Sequence, residues 1–374
     1  LPFAGVPGLP LSTVAGHEGR FLLCRLREMK THLVAAQGRV HLYEGHGAVA
    51  VTAGVRALAA LGVRRLILTN AAGSANLNFS PGRWMASARR LTAAAAAPAN
   101  VLFIFADDQR ADTIAALGNA HIHTPNLDRL ARRGVAFNHA YMQGGMNGAT
   151  CVPSRAMLLS GRSVFHIDEK LTRDETWPAA FGRAGYTTFI SGKWHNTPAA
   201  VPLSFQRARQ LFTGGMTNPM KAPLADLENG KMGPTKVSPK HACEVFADET
   251  IAFLKEKHTA PFFAYLAFDG PHDPHIVPDD YPVRYDPEKI PLPANFLAQH
   301  PFDNGEMTIR DEQLLPWPRT SADIRSMLAD YYRYISYLDL LIGRVLDTLD
   351  ASPSAKNTFV VFAADSGVAR GSHG

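Results

Sequence analysis

Four continuous apolar runs after residue 100 constrain the fold of this chain more than any other feature. They are Val101–Phe105, Tyr186–Ile190, Phe262–Phe268 and Thr358–Phe362. An apolar run without alternation is typical of a strand that is covered on both faces. Helical sequence separates the runs, as in Ser321–Leu349, where apolar residues recur every three or four positions. This order of elements predicts an α/β fold with a doubly wound, mostly parallel sheet.

Composition excludes several classes of function. The chain has 374 residues, 46% of them hydrophobic and 19% charged, which is typical of a globular protein. Its formal net charge is only +5, and lysine and arginine occur at most in pairs, so a nucleic-acid surface is not expected. No apolar stretch reaches the roughly 18 residues that a membrane span needs. The three cysteines are too few and too far apart for a disulfide framework or a thiolate zinc site.

Each of the four apolar runs leads into residues that can carry chemistry. In open α/β sheets ligands bind beyond the carboxyl ends of the strands, so residues at four such ends are expected to form one site. One acid after a strand more often caps a helix or a turn, but four coincidences favour a site. The residues are Asp107 and Asp108, Lys193 and His195, His272 and His275, and Asp365 and Ser366.

The types of these residues indicate a reaction class. Three carboxylates repel one another unless a cation lies among them, and hard oxygen ligands favour calcium or magnesium over zinc. Histidines without cysteine partners suit proton transfer, and a lysine suits an anionic substrate. We therefore expect metal-assisted hydrolysis of an anionic ester, with phosphate and sulfate both open at this point.

The segment that begins at Cys151 resembles a family signature. It reads Cys-Val-Pro-Ser-Arg-Ala-Met-Leu-Leu-Ser-Gly-Arg, with Pro153 early in a predicted helix. A cysteine at a helix N-terminus lies in a field that favours anions, although a lone cysteine is more often a small buried apolar residue. The string resembles the signature of the type I sulfatases, in which Cys-x-Pro-Ser-Arg directs oxidation of the cysteine to formylglycine. With the Asp-Asp, Gly-Lys-Trp-His and Asp-Ser-Gly strings, the resemblance covers about residues 100–374.

The resemblance implies a metal site and a nucleophile. Cys151, as the hydrate of formylglycine, would attack sulfur through one hydroxyl and displace the alcohol of the ester. Loss of the proton of the second hydroxyl would then expel sulfate and restore the aldehyde. A formylglycine-generating enzyme or another sulfatase-maturing enzyme would be a necessary partner. The implied ligands of calcium, or else of magnesium, are Asp107, Asp108, Cys151, Asp365 and Ser366.

Four further residues match catalytic positions of the family. Arg155 would fix the formylglycine, and His195 would assist its deprotonation. Lys193 would hold sulfate oxygens, and His272 would bind or protonate the leaving oxygen. His275 in the same loop is expected to pack or to bind solvent. The implied substrate is a small-molecule or saccharide sulfate ester, such as a sugar sulfate or an aryl sulfate.

Two departures from the family pattern bear on activity. Ser366 stands where members commonly carry Asn or His, which predicts a looser calcium site. The sequence also stops at Gly374, where the family usually continues to a further sulfate-binding lysine and a C-terminal subdomain. Two alternatives therefore stay open: a phosphonate or phosphate ester hydrolase of the alkaline phosphatase superfamily, and a truncated, non-catalytic remnant.

Residues 1–84 resemble another family, the purine nucleoside phosphorylases. The resemblance implies that Arg39, His41 and the amide of Ala71 bind phosphate and that Tyr43 touches a ribose. The glycine-rich phosphate loop and the purine-binding acid of that family are missing, so we expect a partial α/β phosphorylase-like segment with a vestigial site. Phosphorolysis is thus the least favoured function. The matching strings are Gly16–Arg20, Gln37–Gly45 and Thr69–Gly73.

The alanine-rich stretch 85–99 divides the two resemblances. Met85, the pair Arg89-Arg90 and a short apolar run resemble the stub of an export signal, but the run is short and internal, so a linker is favoured. We expect a phosphorylase-like fragment at 1–84, a linker at 85–99 and a sulfatase catalytic domain without its C-terminal subdomain at 100–374. The chain is interpreted as cut at both ends. A periplasmic or extracellular location is expected for the sulfatase part, although no functional signal peptide is recognised.

Overall fold

The computed structural model describes residues 20–25, 32–37, 58, 65–68, 87–90, 98–137, 140–146, 150–303 and 305–373. The chain divides into two compact units, Leu1–Ala97 and Pro98–Gly374. The described strands of the first unit form two antiparallel pairs, in which β1 pairs with β2 and β3 with β4. Their bounds are β1 Arg20–Arg25, β2 His32–Gln37, β3 Arg65–Leu68 and β4 Ser87–Arg90.

A five-stranded parallel sheet forms the centre of the second unit. Its strands are β5 Asn100–Ala106, β6 Thr187–Lys193, β7 Arg207–Phe212, β12 Phe262–Ala267 and β13 Thr358–Ala364. Their order across the sheet is β13-β5-β12-β6-β7, and every neighbouring pair is parallel. The four apolar runs of the sequence are strands of this sheet, which confirms the predicted fold class.

Strand β7 was not predicted from the sequence. It lies at an edge of the sheet and carries Arg207 and Arg209, so it lacks an apolar run. Charged side chains on edge strands oppose unwanted pairing with other chains. Beyond β7, four two-residue strands form two short antiparallel pairs. They are β8 Pro223–Leu224, β9 Leu227–Glu228, β10 Lys231–Met232 and β11 Lys236–Val237.

Helices cover both faces of the central sheet. Alternate residues of β5 enter different cores: Leu102 and Ile104 pack with residues of α5 and α6, whereas Phe103 and Phe105 pack with residues of α2 and α4. This two-sided burial explains why the strand sequences show no alternation. Among the described residues, no helix combines the length and the hydropathy that a membrane span requires. The helices are α1 Pro125–Arg133, α2 Cys151–Ser160, α3 Trp177–Arg183, α4 Val201–Ser204, α5 Ala242–Lys255 and α6 Ser321–Asp350.

The parallel sheet brings the predicted polar residues to one edge. Asp107 directly follows β5, Lys193 ends β6, Asp269 follows β12 by one residue and Asp365 directly follows β13. Because all strands run in the same direction, their carboxyl ends lie side by side. Backbone hydrogen bonds join these ends: the amide of Asp107 donates to the carbonyl of Gly270 at 3.0 Å, and the amide of Asp365 donates to that of Ala106 at 3.1 Å.

Candidate active site

A cluster of carboxylates lies at the carboxyl ends of β5 and β13. Asp107, Asp108 and Asp365 each offer an oxygen, and these oxygens and the Sγ of Cys151 all lie within 4.8 Å of one another. The amide of Asp108 donates to Oδ1 of Asp365 at 3.0 Å, and the hydroxyl of Ser366 donates to Oδ1 of Asp108 at 2.6 Å. Four of the five predicted metal ligands are therefore one group, and Ser366 is hydrogen-bonded to it.

The charges in this cluster do not balance without a further cation. Burial and the neighbouring Asp107 raise the pKa of both Asp108 and Asp365 above the usual range. Burial also opposes ionisation of Asp107, but the charges of Lys193 and Arg155 outweigh it and lower its pKa. Oδ1 of Asp107 is buried and has no hydrogen-bond donor among the described residues. An unsatisfied acceptor among crowded carboxylates fits a hard cation such as calcium or magnesium.

Cys151 is the first residue of α2, and its side chain is buried beside the carboxylates. Burial, followed by the charges of Asp107 and Asp365, raises the pKa of the Cys151 thiol. The expectation that the N-terminus of this helix favours an anion stays a prediction, and it does not extend to ionisation of the thiol. Desolvation and nearby negative charge outweigh the helix field. The thiol itself is therefore a poor nucleophile at neutral pH.

Arg155 lies one helical turn after Cys151 and connects the ends of two strands. Its side chain is 1% exposed. Nη1 donates to the carbonyl of Lys193 at 3.0 Å, and Nη2 donates to Oδ2 of Asp365 at 2.9 Å. Nη2 also lies 3.4 Å from Oδ1 of Asp107. The guanidinium thus holds the start of α2 against the carboxylate cluster.

Lys193 is fully buried, and its ammonium contacts Oδ2 of Asp107. Its side chain neutralises this carboxylate and does not line the neighbouring cavity. The predicted contact with sulfate oxygens remains a prediction, since the observed partner of Lys193 is a carboxylate of the protein.

A cavity of about 400 Å³ opens beside the cluster, and Cys151, Asp108, His195 and His272 line it. Burial, with the charges of Lys193 and Arg155, lowers the pKa of His195 to about 3. His195 is therefore neutral at pH 7. Its backbone is left-handed with φ +65°.

His272 faces the carboxylate cluster from the loop after β12. Its Nδ1 lies 2.8 Å from the carbonyl of Asp273, and because a carbonyl only accepts, Nδ1 carries a proton. Its Nε2 lies 3.6 Å from Oδ2 of Asp108. The structure thus brings His272 and His195 to one cavity with Cys151.

His275 packs away from the cluster, as the sequence predicted. Its ring lies 5.5 Å from that of Tyr331 and 6.4 Å from that of Tyr334, between centroids. Nε2 of His275 accepts a hydrogen bond from Nη2 of Arg370 at 2.9 Å. Burial and the charge of Arg370 lower the pKa of His275 to about 3, which keeps the ring neutral.

Several residues at the site were missed by sequence reasoning. Tyr331 of α6 donates to the carbonyl of Asp108 at 2.6 Å and accepts from the amide of Arg110 at 2.9 Å, which fixes the turn after β5. Gly215 lies so close to His195 that a Cβ there would be 2.5 Å from Nε2. Arg370 lines the cavity. None of the three lies in a local motif, so no signal in the sequence identifies them.

The predicted nucleoside and phosphate residues of the first unit were not located. Arg39, His41, Tyr43 and Ala71 lie outside the described residues.

Comparison with known proteins yields two family matches. The sulfatase family model matches residues 99–374, and the phosphorylase superfamily model matches residues 3–138. Among curated proteins, the chain is 28% identical over 291 residues to an ulvan-active sulfatase of Formosa agariphila, which covers 73% of this chain and 51% of that protein. The chain spans between 51% and 66% of the length of four curated relatives that it matches.

Solved structures share the fold of the second unit. A protein solved with its substrate D-glucosamine-2-N,6-O-disulfate matches with a TM-score of 0.56 and 22% identity, over 75% of this chain and 67% of its own. The phosphonate monoester hydrolase of Agrobacterium radiobacter matches with a TM-score of 0.54 and 23% identity, over 74% and 64% respectively.

Proposed function

The chain belongs to the sulfatase family, and from this premise we propose that it hydrolyses a sulfate ester of a sugar or an aryl alcohol. The observation that carries the proposal is the convergence at one cavity of Cys151, two histidines and Asp108, which belongs to the carboxylate cluster. This convergence supports a site with a nucleophile position, a cation position and two proton-transfer groups.

The carboxylate cluster is the proposed calcium site. Asp107, Asp108, Asp365 and Ser366 would hold the ion, and the unsatisfied Oδ1 of Asp107 supports this fit. When bound, calcium would supply positive charge to sulfate oxygens, as metal ions do in ester hydrolysis. Arg155 and Lys193 balance the remaining negative charge, because both contact Asp107.

Conversion of Cys151 to formylglycine is the second part of the proposal. The raised pKa of the Cys151 thiol argues against a thiolate nucleophile. The hydrated aldehyde would supply an oxygen nucleophile together with a second hydroxyl for release of sulfate. A formylglycine-generating or other sulfatase-maturing enzyme is the implied partner, and Arg155 would hold the modified residue.

The two histidines take different roles in proton transfer. His195 would assist deprotonation at the nucleophile position, because it lines the same cavity as Cys151. His272 shares a carboxylate neighbour, Asp108, with the metal site, and its Nε2 would bind or protonate the leaving oxygen. Both rings line the cavity in which the ester would lie.

A sulfated saccharide is the proposed substrate class. The ulvan-active relative and the neighbour solved with D-glucosamine-2-N,6-O-disulfate support this choice. The phosphonate monoester hydrolase fold neighbour supports the second candidate, a phosphonate or phosphate ester hydrolase. A non-catalytic remnant is the third.

Intact-mass analysis and turnover distinguish these candidates. The chain would be co-produced with a formylglycine-generating enzyme, digested and weighed at the Cys151 peptide, and assayed with 4-nitrophenyl sulfate and 4-nitrophenyl phosphate. We expect an aldehyde at Cys151 and faster cleavage of the sulfate, with no turnover by Cys151→Ala. Faster phosphate cleavage would favour the second candidate, and a persistent thiol without turnover would favour the remnant.

A further inference from the structure

Arg370 places a buried guanidinium in the wall of the proposed catalytic cavity. It follows Asp365 by five residues and is 7% exposed. It lines the same cavity as Cys151, Asp108 and His272. The mechanism proposed above does not use this residue.

The partners of Arg370 within the protein are weak or neutral. Nη2 donates to the neutral ring of His275 at 2.9 Å, and Nη1 donates to the sulfur of Met327 at 3.2 Å. The guanidinium also lies 5.1 Å from the ring centroid of Tyr331. Nε is buried and has no hydrogen-bond partner among the described residues. A thioether is a weak acceptor, so the donor capacity of this arginine is largely unused.

Arg370 differs in this respect from the other arginines of the cavity wall. Arg310 donates to Oδ2 of Asp273 at 3.0 Å and also contacts Asp311. Arg319 contacts the carboxylate of Glu312. In contrast, Arg370 forms no ion pair with a carboxylate in the described part of the chain, although the charges of Asp273 and Asp108 act on it without direct contact.

A buried charge without an ion-pair partner destabilises the fold unless a bound anion neutralises it. The contacts with His275, Met327 and Tyr331 hold the guanidinium in place in advance, which lowers the entropy that binding would cost. The planar fork of arginine matches two oxygens of a carboxylate or a sulfate. The position therefore suits an oxyanion that enters through the cavity.

This anion need not be the ester that is cleaved. Under the proposed function the scissile sulfate lies at Cys151, beside the carboxylate cluster that would hold calcium. A cavity of about 400 Å³ is in the range that accommodates a small organic ligand, and so it has room for more than a sulfate group.

We propose that Arg370 is a specificity-determining residue that binds a second anionic group of the substrate, either a carboxylate or another sulfate, near the sulfate ester that is cleaved. The proposal rests on the proposed function and narrows its substrate class to esters that carry two negative charges. His275 is then a positioning residue, because its neutral ring accepts from and orients the guanidinium.

The Arg370→Gln variant tests the proposal with three aryl sulfate esters that share a nitrophenyl ring. They are 4-nitrophenyl sulfate, its ortho-carboxylate derivative and the disulfate of 4-nitrocatechol. In Arg370→Gln we expect kcat/KM for at least one doubly charged ester to fall by about 10- to 100-fold, which is the range expected for loss of charge-assisted hydrogen bonds. For 4-nitrophenyl sulfate we expect kcat/KM to change by less than about 3-fold. The two doubly charged arms distinguish a carboxylate from a second sulfate.

Two variants serve as controls. Arg310→Gln also removes a positive charge from the cavity wall, but the guanidinium of Arg310 is already paired with carboxylates of the protein. We therefore expect this variant to change kcat/KM to the same extent for singly and doubly charged esters. Arg370→Lys keeps the charge without the fork and should restore part of the preference. Equal losses on all three esters in Arg370→Gln would overturn the proposal, because Arg370 would then act on the scissile sulfate or on the fold.

A binding measurement separates this inference from the proposed function. Calorimetry of the Cys151→Ala chain, with and without Arg370→Gln, reports affinity for the same esters without any turnover. If the parent chain cleaves none of them, the proposed function fails, yet a selective loss of affinity for a doubly charged ester would still support the role of Arg370. If Cys151→Ala binds the doubly charged esters no more tightly than 4-nitrophenyl sulfate, the inference fails whatever the turnover.

Discussion

Replacing Gly192 with alanine is expected to destabilise the second unit, because the end of β6 is too close to β12 for a side chain. Gly192 pairs with Ala267 in the sheet, one residue before the buried Lys193. A Cβ at this position would lie 1.7 Å from the carbonyl oxygen of Ala267, whereas Cβ contacts shorter than 3.0 Å essentially never occur. This oxygen belongs to the backbone, so the two strands would have to separate by more than 1 Å.

Two costs add at Gly192. Its φ of +114° is a backbone conformation that side chains disfavour, by about 1–2 kcal/mol for left-handed backbone in general. Overpacking of a close-packed interior costs about 1–3 kcal/mol more. The variant should therefore lose about 2–5 kcal/mol of the free energy of unfolding, a large share of the roughly 5–15 kcal/mol that stabilises a typical domain.

Gly185→Ala is the matched control. Gly185 has φ +89°, and a Cβ there would meet nothing within 4 Å. It should bear only the backbone cost of about 1–2 kcal/mol. Both substitutions lower the entropy of the unfolded chain equally, so that effect cancels in the comparison.

Urea unfolding of the three proteins, followed by tryptophan fluorescence, measures the difference. Trp194 is buried two residues after Gly192 and reports on this region. We expect Gly192→Ala to be less stable than Gly185→Ala by about 1–3 kcal/mol, the overpacking cost alone. Equal stability of the two variants would refute the reasoning, since it would mean that β6 and β12 separate without cost.

Three further predictions follow from the site. Calcium added back after chelation should raise the free energy of unfolding by about 4 kcal/mol when its concentration is 1,000 times its Kd. The Ser366→Asn variant should bind calcium more tightly than the parent chain, because an amide oxygen is a better ligand than a hydroxyl. Calcium titrations that give the same affinity for both proteins would contradict this second prediction. In the folded chain the pKa of His275 is lowered to about 3. As the pH decreases below about 6.5, the unfolded chain therefore takes up a proton at this residue before the folded chain does. The free energy of unfolding should then fall by up to about 1.4 kcal/mol per pH unit. In His275→Gln, urea unfolding at several pH values should show a shallower slope, and an identical slope would argue against the lowered pKa. His195→Asn should reduce kcat by about 100-fold or more with 4-nitrophenyl sulfate if the ring accepts a proton, and a kcat close to that of the parent chain would exclude this role.

Much of the second unit could be predicted from its sequence. Strands with both faces buried need apolar residues, so β5, β6 and β12 are visible as apolar runs. Edge strand β13 is also visible as an apolar run, although most of its residues are only partly buried. Edge strand β7 is not, because its exposed arginines carry no such signal. The types of residue at the strand ends indicated the chemistry, since a parallel sheet places those ends together whatever the intervening loops do.

The partners of each side chain were decided by the tertiary structure alone. Lys193 contacts a carboxylate, whereas Arg370 has no carboxylate partner among the residues that the structure describes. Tyr331 reaches the turn after β5 from more than 200 residues away. For Cys151, the sequence placed the residue at a helix start, but the fold determined that burial and nearby carboxylates raise the pKa of its thiol. The local sequence pattern shows which chemical groups are present and which face of a helix or strand is apolar. Desolvation and charge coupling depend on groups distant in the sequence, so only the packed chain sets them.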